Sequence, residues 1–220
     1  MAEKNKDDEV VHYDFLYWGP LVTIMDTDLA LCKKLENIGR KRRKQKELDY
    51  RDQLAGQLDH ENTFEQTDKD WFVKHYGKYF DGYVSAYQDR YGTNIGGLEL
   101  KSLWINWMKP GEFNPLHHHS GHISFILYPN SYPEIEQEVE DFVGTGPGPG
   151  QVQFNYGFSS YGFAPEWNIR AHYFTPSAGK LYIFPALLQH QVCPFKSDVE
   201  RVSISGNLSF RNAPTDENTR

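Results

Sequence analysis

From Gly96-Gly97 to Phe210 the chain is a succession of short runs, each cut off by Gly, Pro, Asn or Ser. The runs are Leu98 to Trp107, His117 to Tyr128, Gln151 to Asn155, Arg170 to Thr175, Lys180 to Phe184, Gln189 to Pro194 and Glu200 to Phe210. Segments this short are strands, and their spacing predicts an all-β sandwich or barrel. Aromatic residues make up 15% of the chain, which suits a β-rich domain with elaborate loops better than a helical bundle.

The N-terminal part reads differently. Residues 1–10 are polar and expected to be disordered, and Tyr13 to Ile24 reads as a strand. Asp26 or Thr27 could cap a helix whose apolar stripe is Leu31, Leu35 and Ile38. It runs into the basic stretch Gly39-Arg40-Lys41-Arg42-Arg43-Lys44-Gln45-Lys46, which reads as a solvated helix end or loop rather than a nucleic-acid or partner patch, given a net charge of -7. Thr67 or Asp68 opens a second helix with Phe72, Tyr76, Tyr79, Phe80, Tyr83 and Tyr87 on one face and Gly92 near its end. Such a stripe is a core face, expected to lie against a sheet.

At 220 residues the chain is expected to be one domain. Residues 11–97 would form an N-terminal strand and helices, and residues 98–210 a β-barrel core carrying an insertion over 129–176. Cys32 and Cys193 are far apart and form no CxxC pair, so they read as reduced thiols. The first residues lack an apolar signal region, and no apolar stretch reaches the length of a membrane span. A cytoplasmic, acidic protein is the expectation.

Chemistry enters with Asn114-Pro115-Leu116-His117-His118-His119, followed far downstream by His190 and then Arg201-Val202-Ser203. Residues i and i+2 of a strand share a face, with α-carbons roughly 6.5 to 7 Å apart. His117 and His119 could therefore reach one metal while His118 points away, and His190 could supply a third ligand from a facing strand. Three facial ligands leave the open positions that non-haem Fe(II) needs. Taken alone, the triple histidine would be a solvated turn and His190 a core residue. Arg201 and Ser203 weigh against that. Alternation puts Arg201, Ser203, Ser205 and Asn207 on one polar face of an otherwise core-like strand, where Gly206 interrupts the apolar side. Such a face costs free energy unless it meets solvent or a ligand, and an arginine fork beside a hydroxyl suits a carboxylate.

These residues resemble the Fe(II)- and 2-oxoglutarate-dependent oxygenases, and more narrowly a group of oxygenases of bacteria and tailed phages. The matching elements are Trp104-Ile105-Asn106, Lys109 to Asn114 leading into His117-His118-His119, Ser124 to Tyr128, Gly179 to Pro185 ending at His190, and Arg201 to Ser205. The resemblance implies a double-stranded β-helix, a jelly-roll or cupin-like barrel with the N-terminal helices outside. It implies His117 and His190 as iron ligands, with His119 where the broad superfamily carries Asp or Glu. Arg201 and Ser203 would bind the distal carboxylate of 2-oxoglutarate, Tyr128 would add a hydroxyl, and Asn106 would line the same pocket.

The function so implied is a dioxygenase that hydroxylates a C–H bond of a small-molecule or peptidyl substrate with O2, releasing succinate and CO2. Two rivals stand beside it: a three-histidine metalloenzyme that uses no keto acid, and a non-catalytic jelly-roll binding protein. The aromatic segment with Tyr156, Phe158, Tyr161, Phe163 and Trp167 is either a substrate lid or an extension of the barrel. Proline in a peptide, nucleobases, amino acids and small metabolites all stay open as substrates.

Overall fold

A computed structural model of the chain describes residues 19–156 and 171–212. In chain order these form β1 (Thr23–Asp26), α1 (Leu29–Arg42), β2 (Glu61–Thr63), α2 (Gln66–Tyr91), β3 (Ile95–Met108), β4 (Asn114–His117), β5 (Ile123–Leu127), α3 (Pro133–Glu140), β6 (Val152–Asn155), β7 (His172–Phe174), β8 (Lys180–Pro185), β9 (Gln189–Val192) and β10 (Arg201–Asn212). The strands make two antiparallel sheets, one ordered β1-β8-β5-β10-β3-β2 and the other β4-β9-β6-β7. This is the mainly β jelly roll expected from the sequence, with helices packed outside it.

Period-two alternation sorts the side chains of the large sheet onto two faces. Leu103, Ile105 and Trp107 of β3, Ile123, Phe125 and Leu127 of β5, and Val202, Ile204 and Leu208 of β10 join one buried cluster with α1 and α2. The aromatic stripe of α2 meets this face, with the Phe72 ring stacked on Phe125 at 5.1 Å and Phe80 edge-on to it at 5.2 Å. On the opposite face Met108, Ile126, Tyr128, Tyr182 and Phe184 pack with Val152, Phe154 and Val192 of the small sheet. Gly206 lies where the apolar row would otherwise continue. A Cβ there would come within 2.5 Å of the Ser102 carbonyl oxygen and 2.6 Å of the Phe125 ring, so the interruption makes room for that ring.

Helix ends follow capping chemistry. α1 starts after Asp28, whose Oδ1 accepts from Ala30 N at 2.7 Å, one or two residues later than expected. Thr27 is otherwise engaged, since its hydroxyl donates to the Gly179 carbonyl at 2.7 Å. Glu65 and Asp68 form a capping box at the start of α2, and Gly92 ends it in the left-handed region. The basic stretch is neither free nor merely solvated. Arg40 pairs with Glu36, Arg42 with Asp68, and Arg43 with Glu200, while the guanidinium groups of Arg40 and Arg43 lie over the Trp107 ring.

Three expectations need correction. Of the expected strand Tyr13 to Ile24, residues up to 18 lie outside the described set, 19–22 are not strand, and β1 runs from Thr23 to Asp26 along the edge of β8. The run His117 to Tyr128 holds the last residue of β4 and all of β5, which lie in different sheets. The chain leaves the small sheet at His117, turns through Gly121 at a φ of 96°, and enters the large sheet at Ile123. Within residues 129–176 there is also a helix that alternation did not reveal. α3 begins with Pro133 in its first turn, buries Ile135, and uses Glu138 to accept the backbone N–H groups of Lys196 and Ser197. β6 and β7, from the same stretch, belong to the small sheet.

Candidate functional site

The open end of the fold is a cavity of about 210 Å³ between the two sheets. Its wall takes His117 and His190 from β4 and β9, Asn106 from β3, Tyr128 from just past β5, and Arg201, Ser203 and Ser205 from β10. His119 and the loop Gln53 to Gly56 complete it.

The structure brings His117, His119 and His190 together. Their ligand nitrogens all lie within 4.8 Å of one another, a group that could hold one metal ion. Ring centroids are 4.3 Å apart for His117 and His190, and 5.0 Å for each pair involving His119. The route differs from the expected one. His190 sits on the neighbouring strand of the same sheet, directly opposite His117, rather than on a facing strand. His119 lies beyond the end of β4, where its backbone N–H donates to the Ala186 carbonyl at 2.8 Å. His118 is exposed and outside the triad, although it reaches the cavity rim.

The surroundings prepare these imidazoles as neutral donors. The carbonyls of Pro115 and Leu188 can only accept, so Nδ1 of His117 (2.6 Å) and of His190 (2.9 Å) must carry the proton and Nε2 keeps its lone pair. Burial is the main cause of lowered basicity in all three. With the neighbouring imidazoles it takes His190 down to about 3 and His119 down to about 2, and it lowers His117 as well. Phe154 and Phe184 flank the His190 ring, and Trp104 flanks His119. A metal ligand has to be deprotonated, and this setting keeps the triad so.

Deeper in the same cavity Arg201 is 2% exposed. Its Nη2 donates to the Tyr128 hydroxyl at 2.8 Å and Nη1 approaches Met108 Sδ at 3.7 Å, while Nε has no partner. No carboxylate pairs with it among the described residues, whereas Arg40, Arg42 and Arg43 all have one. Asn106 Nδ2 donates to Ser203 Oγ at 3.2 Å across the β3–β10 pair, leaving its Oδ1 unpartnered. The outer member of the polar face is satisfied locally, as Ser124 Oγ donates to Asn207 Oδ1 at 2.7 Å. Of the aromatic segment, only Tyr156 is described; Phe158, Tyr161, Phe163 and Trp167 lie outside the described residues.

Sequence reasoning missed Glu61 and Asn114 as cavity residues. Glu61 is 1% exposed and its Oε2 has no partner; the Asn114 Oδ1 is likewise buried and unpartnered. The three-residue strand that carries Glu61 has no apolar alternation to betray which way it faces.

Two antiparallel sheets closing on an imidazole triad define a double-stranded β-helix protein. Residues 102–207 match the family described as "Putative 2OG-Fe(II) oxygenase". Over these residues the resemblance read from the sequence is thereby borne out. Among solved structures it is similar to a prolyl-4-hydroxylase from Pseudomonas putida, with 16% identity, a TM-score of 0.52, and 87% of this chain and 92% of that one covered. It is also similar to the viral collagen prolyl hydroxylase of Paramecium bursaria Chlorella virus-1 in complex with 2OG, at 12% identity and a TM-score of 0.53, covering 85% and 94% of the two chains. Identities this low speak to the fold alone. No curated protein matches the sequence. No helix among the described residues is long and apolar enough to cross a membrane.

Proposed function

We propose that the chain is a dioxygenase dependent on Fe(II) and 2-oxoglutarate that hydroxylates a C–H bond of a small-molecule or peptidyl substrate. The observation that carries this reading is Arg201. A guanidinium buried to this degree without a carboxylate costs several kcal/mol of desolvation, of the order expected for an unpaired buried ion, and the fold keeps it a short way from three metal-ready imidazoles. A dicarboxylate resolves both. Arg201, with the hydroxyls of Tyr128 and Ser203, would hold its distal carboxylate, leaving the imidazole triad to the metal.

In this reading His117, His119 and His190 hold the iron as neutral ligands. Bound there, the metal and the keto acid would supply the oxidising chemistry, in which O2, 2-oxoglutarate and substrate give succinate, CO2 and hydroxylated product. The chain's own part is to orient and to exclude water. Trp104, Phe154 and Phe184 hold the rings of His119 and His190 in a dry setting, and Asn106 positions Ser203 by its hydrogen bond. The packing of α1 and α2 on the same sheet supports one oxygenase domain, with the helices buttressing the wall that carries Arg201.

The test is succinate formation by protein loaded anaerobically with Fe(II), then given 2-oxoglutarate and oxygen, with and without a substrate panel. Succinate that depends on iron, and is lost in Arg201→Ala, is the expected result. Bound iron with no succinate under any condition overturns the reading. The all-imidazole donor set favours one alternative, a metalloenzyme that uses no keto acid. That alternative predicts iron-dependent oxidation indifferent to 2-oxoglutarate and to Arg201→Ala.

A further inference from the structure

Arg201 shares its wall with a buried carboxyl. β2 pairs with β3 so that Glu61 stands opposite Asn106, and β3 pairs with β10 so that Asn106 stands opposite Ser203. Ser203, Asn106 and Glu61 thus form one row across the inner face of the large sheet, with Glu61 at its edge. The carboxyl is almost wholly buried, lines the cavity, and leaves Oε2 without a donor. Arg51, the cation that acts on it, is held by Asp49 through Nη2 at 2.5 Å. Asn106 Oδ1 and Asn114 Oδ1, also lining the cavity, lack donors too. Gly56 keeps this corner open, since a Cβ there would meet Glu61 Oε1 at 2.5 Å and Asn114 Oδ1 at 2.9 Å.

Three buried oxygens that accept no hydrogen bond cost stability, because each has lost water and gained nothing. The group that satisfies all of them carries several N–H bonds and a positive charge. We infer that Glu61, with Asn106 and Asn114, is the recognition site for a cationic nitrogen of the substrate, an ammonium or a guanidinium. The inference rests on the oxygenase reading, in which Arg201 and the imidazole triad are occupied by the keto acid and the metal, leaving the Glu61 corner to the substrate. Glu61 is then a specificity-determining residue. It rejects neutral isosteres by leaving its own carboxyl unpaired.

The experiment compares matched probes on the protein loaded with Fe(II) and 2-oxoglutarate without oxygen. Short peptides and free amino acids carrying lysine or arginine are titrated against the same molecules carrying norleucine or citrulline, with binding followed by calorimetry. The cationic member is expected to bind at least tenfold more tightly, and Glu61→Gln to abolish that preference. On admitting oxygen, the cationic probes should raise succinate release above the uncoupled level. Equal binding within each pair, no binding by either member, or a preference that survives in folded Glu61→Gln overturns the inference. Those outcomes are distinct from failure of the oxygenase reading, which shows as no iron- and 2-oxoglutarate-dependent succinate in the wild type with any probe or none. The wild-type comparison decides even if the variant does not fold.

Discussion

His117 and His190 stand directly opposite each other on adjacent antiparallel strands, and each ring is pinned through Nδ1 to the carbonyl two residues before it. The pairing sets the distance between the rings, and the local hydrogen bonds set their tautomer. Both Nε2 atoms are therefore positioned before any ligand arrives, which spares the ordering cost of assembling a site.

This arrangement predicts which histidines hold iron. His117→Ala, His119→Ala and His190→Ala should each lower iron affinity by more than about 100-fold, beyond the loss typical of an outer-shell change. His118→Ala should bind iron as the wild type does, since His118 is exposed and outside the triad. Iron content after anaerobic loading and desalting checks this. Equal iron in the His118 and His190 variants would remove the triad from the account.

Arg201 and Tyr128 make a graded pair. Wild-type protein with iron should gain about 2.7 kcal/mol of stability at 2-oxoglutarate concentrations 100 times the dissociation constant. Arg201→Gln should lose that gain, because the charge that attracts the distal carboxylate is gone. Tyr128→Phe should weaken binding by only about tenfold, the worth of one hydrogen bond to a charged group. Thermal denaturation with and without the keto acid separates the two.

Much of the architecture was legible in the chain. The alternation in 201–207 foretold which residues of β10 face inward, and the aromatic spacing from Phe72 to Tyr87 foretold the helix face that meets Phe125. Turns that change sheet were harder to see. His117 to Tyr128 reads as one strand because Asn114 to His117 and Ile123 to Leu127 are both extended, and only Gly121 marks the crossing between sheets. Edge strands were harder still. Glu61 and Asn62 are buried by pairing with β3 and not by any apolar pattern of their own, so a polar triplet gave no sign of lining the cavity.

Gly206 offers a test of the packing behind the site. Gly206→Ala places a methyl group within 2.5 Å of a backbone oxygen of β3 and 2.6 Å of the Phe125 ring. Backbone cannot yield cheaply in the middle of a sheet, so the variant should lose about 1 to 3 kcal/mol, the usual cost of overpacking. Ser205→Ala, its neighbour on the cavity face, should lose far less. Urea denaturation of both variants measures the difference, and equal stabilities would contradict the packing seen around Phe125.

Glu61 gives the stability of the free protein a pH dependence whose sign can be worked out. Burial, reinforced by the nearby Glu112 carboxylate, pushes its carboxyl up from 4.5 to about 7, against the opposing pull of Arg51. The folded protein therefore keeps a proton through a range in which the unfolded chain has already released it. Stability from this group is fully present below pH 4.5 and is lost as pH rises through 7. Glu61→Gln carries an uncharged amide that does not titrate, so it should gain on the wild type by on the order of 3 kcal/mol across that window. Denaturant unfolding of both proteins at several pH values from acid to mildly alkaline reads the gap directly. A gap that stays constant would mean that Glu61 ionises as easily inside the fold as outside it, and the buried acceptor corner would have to be abandoned.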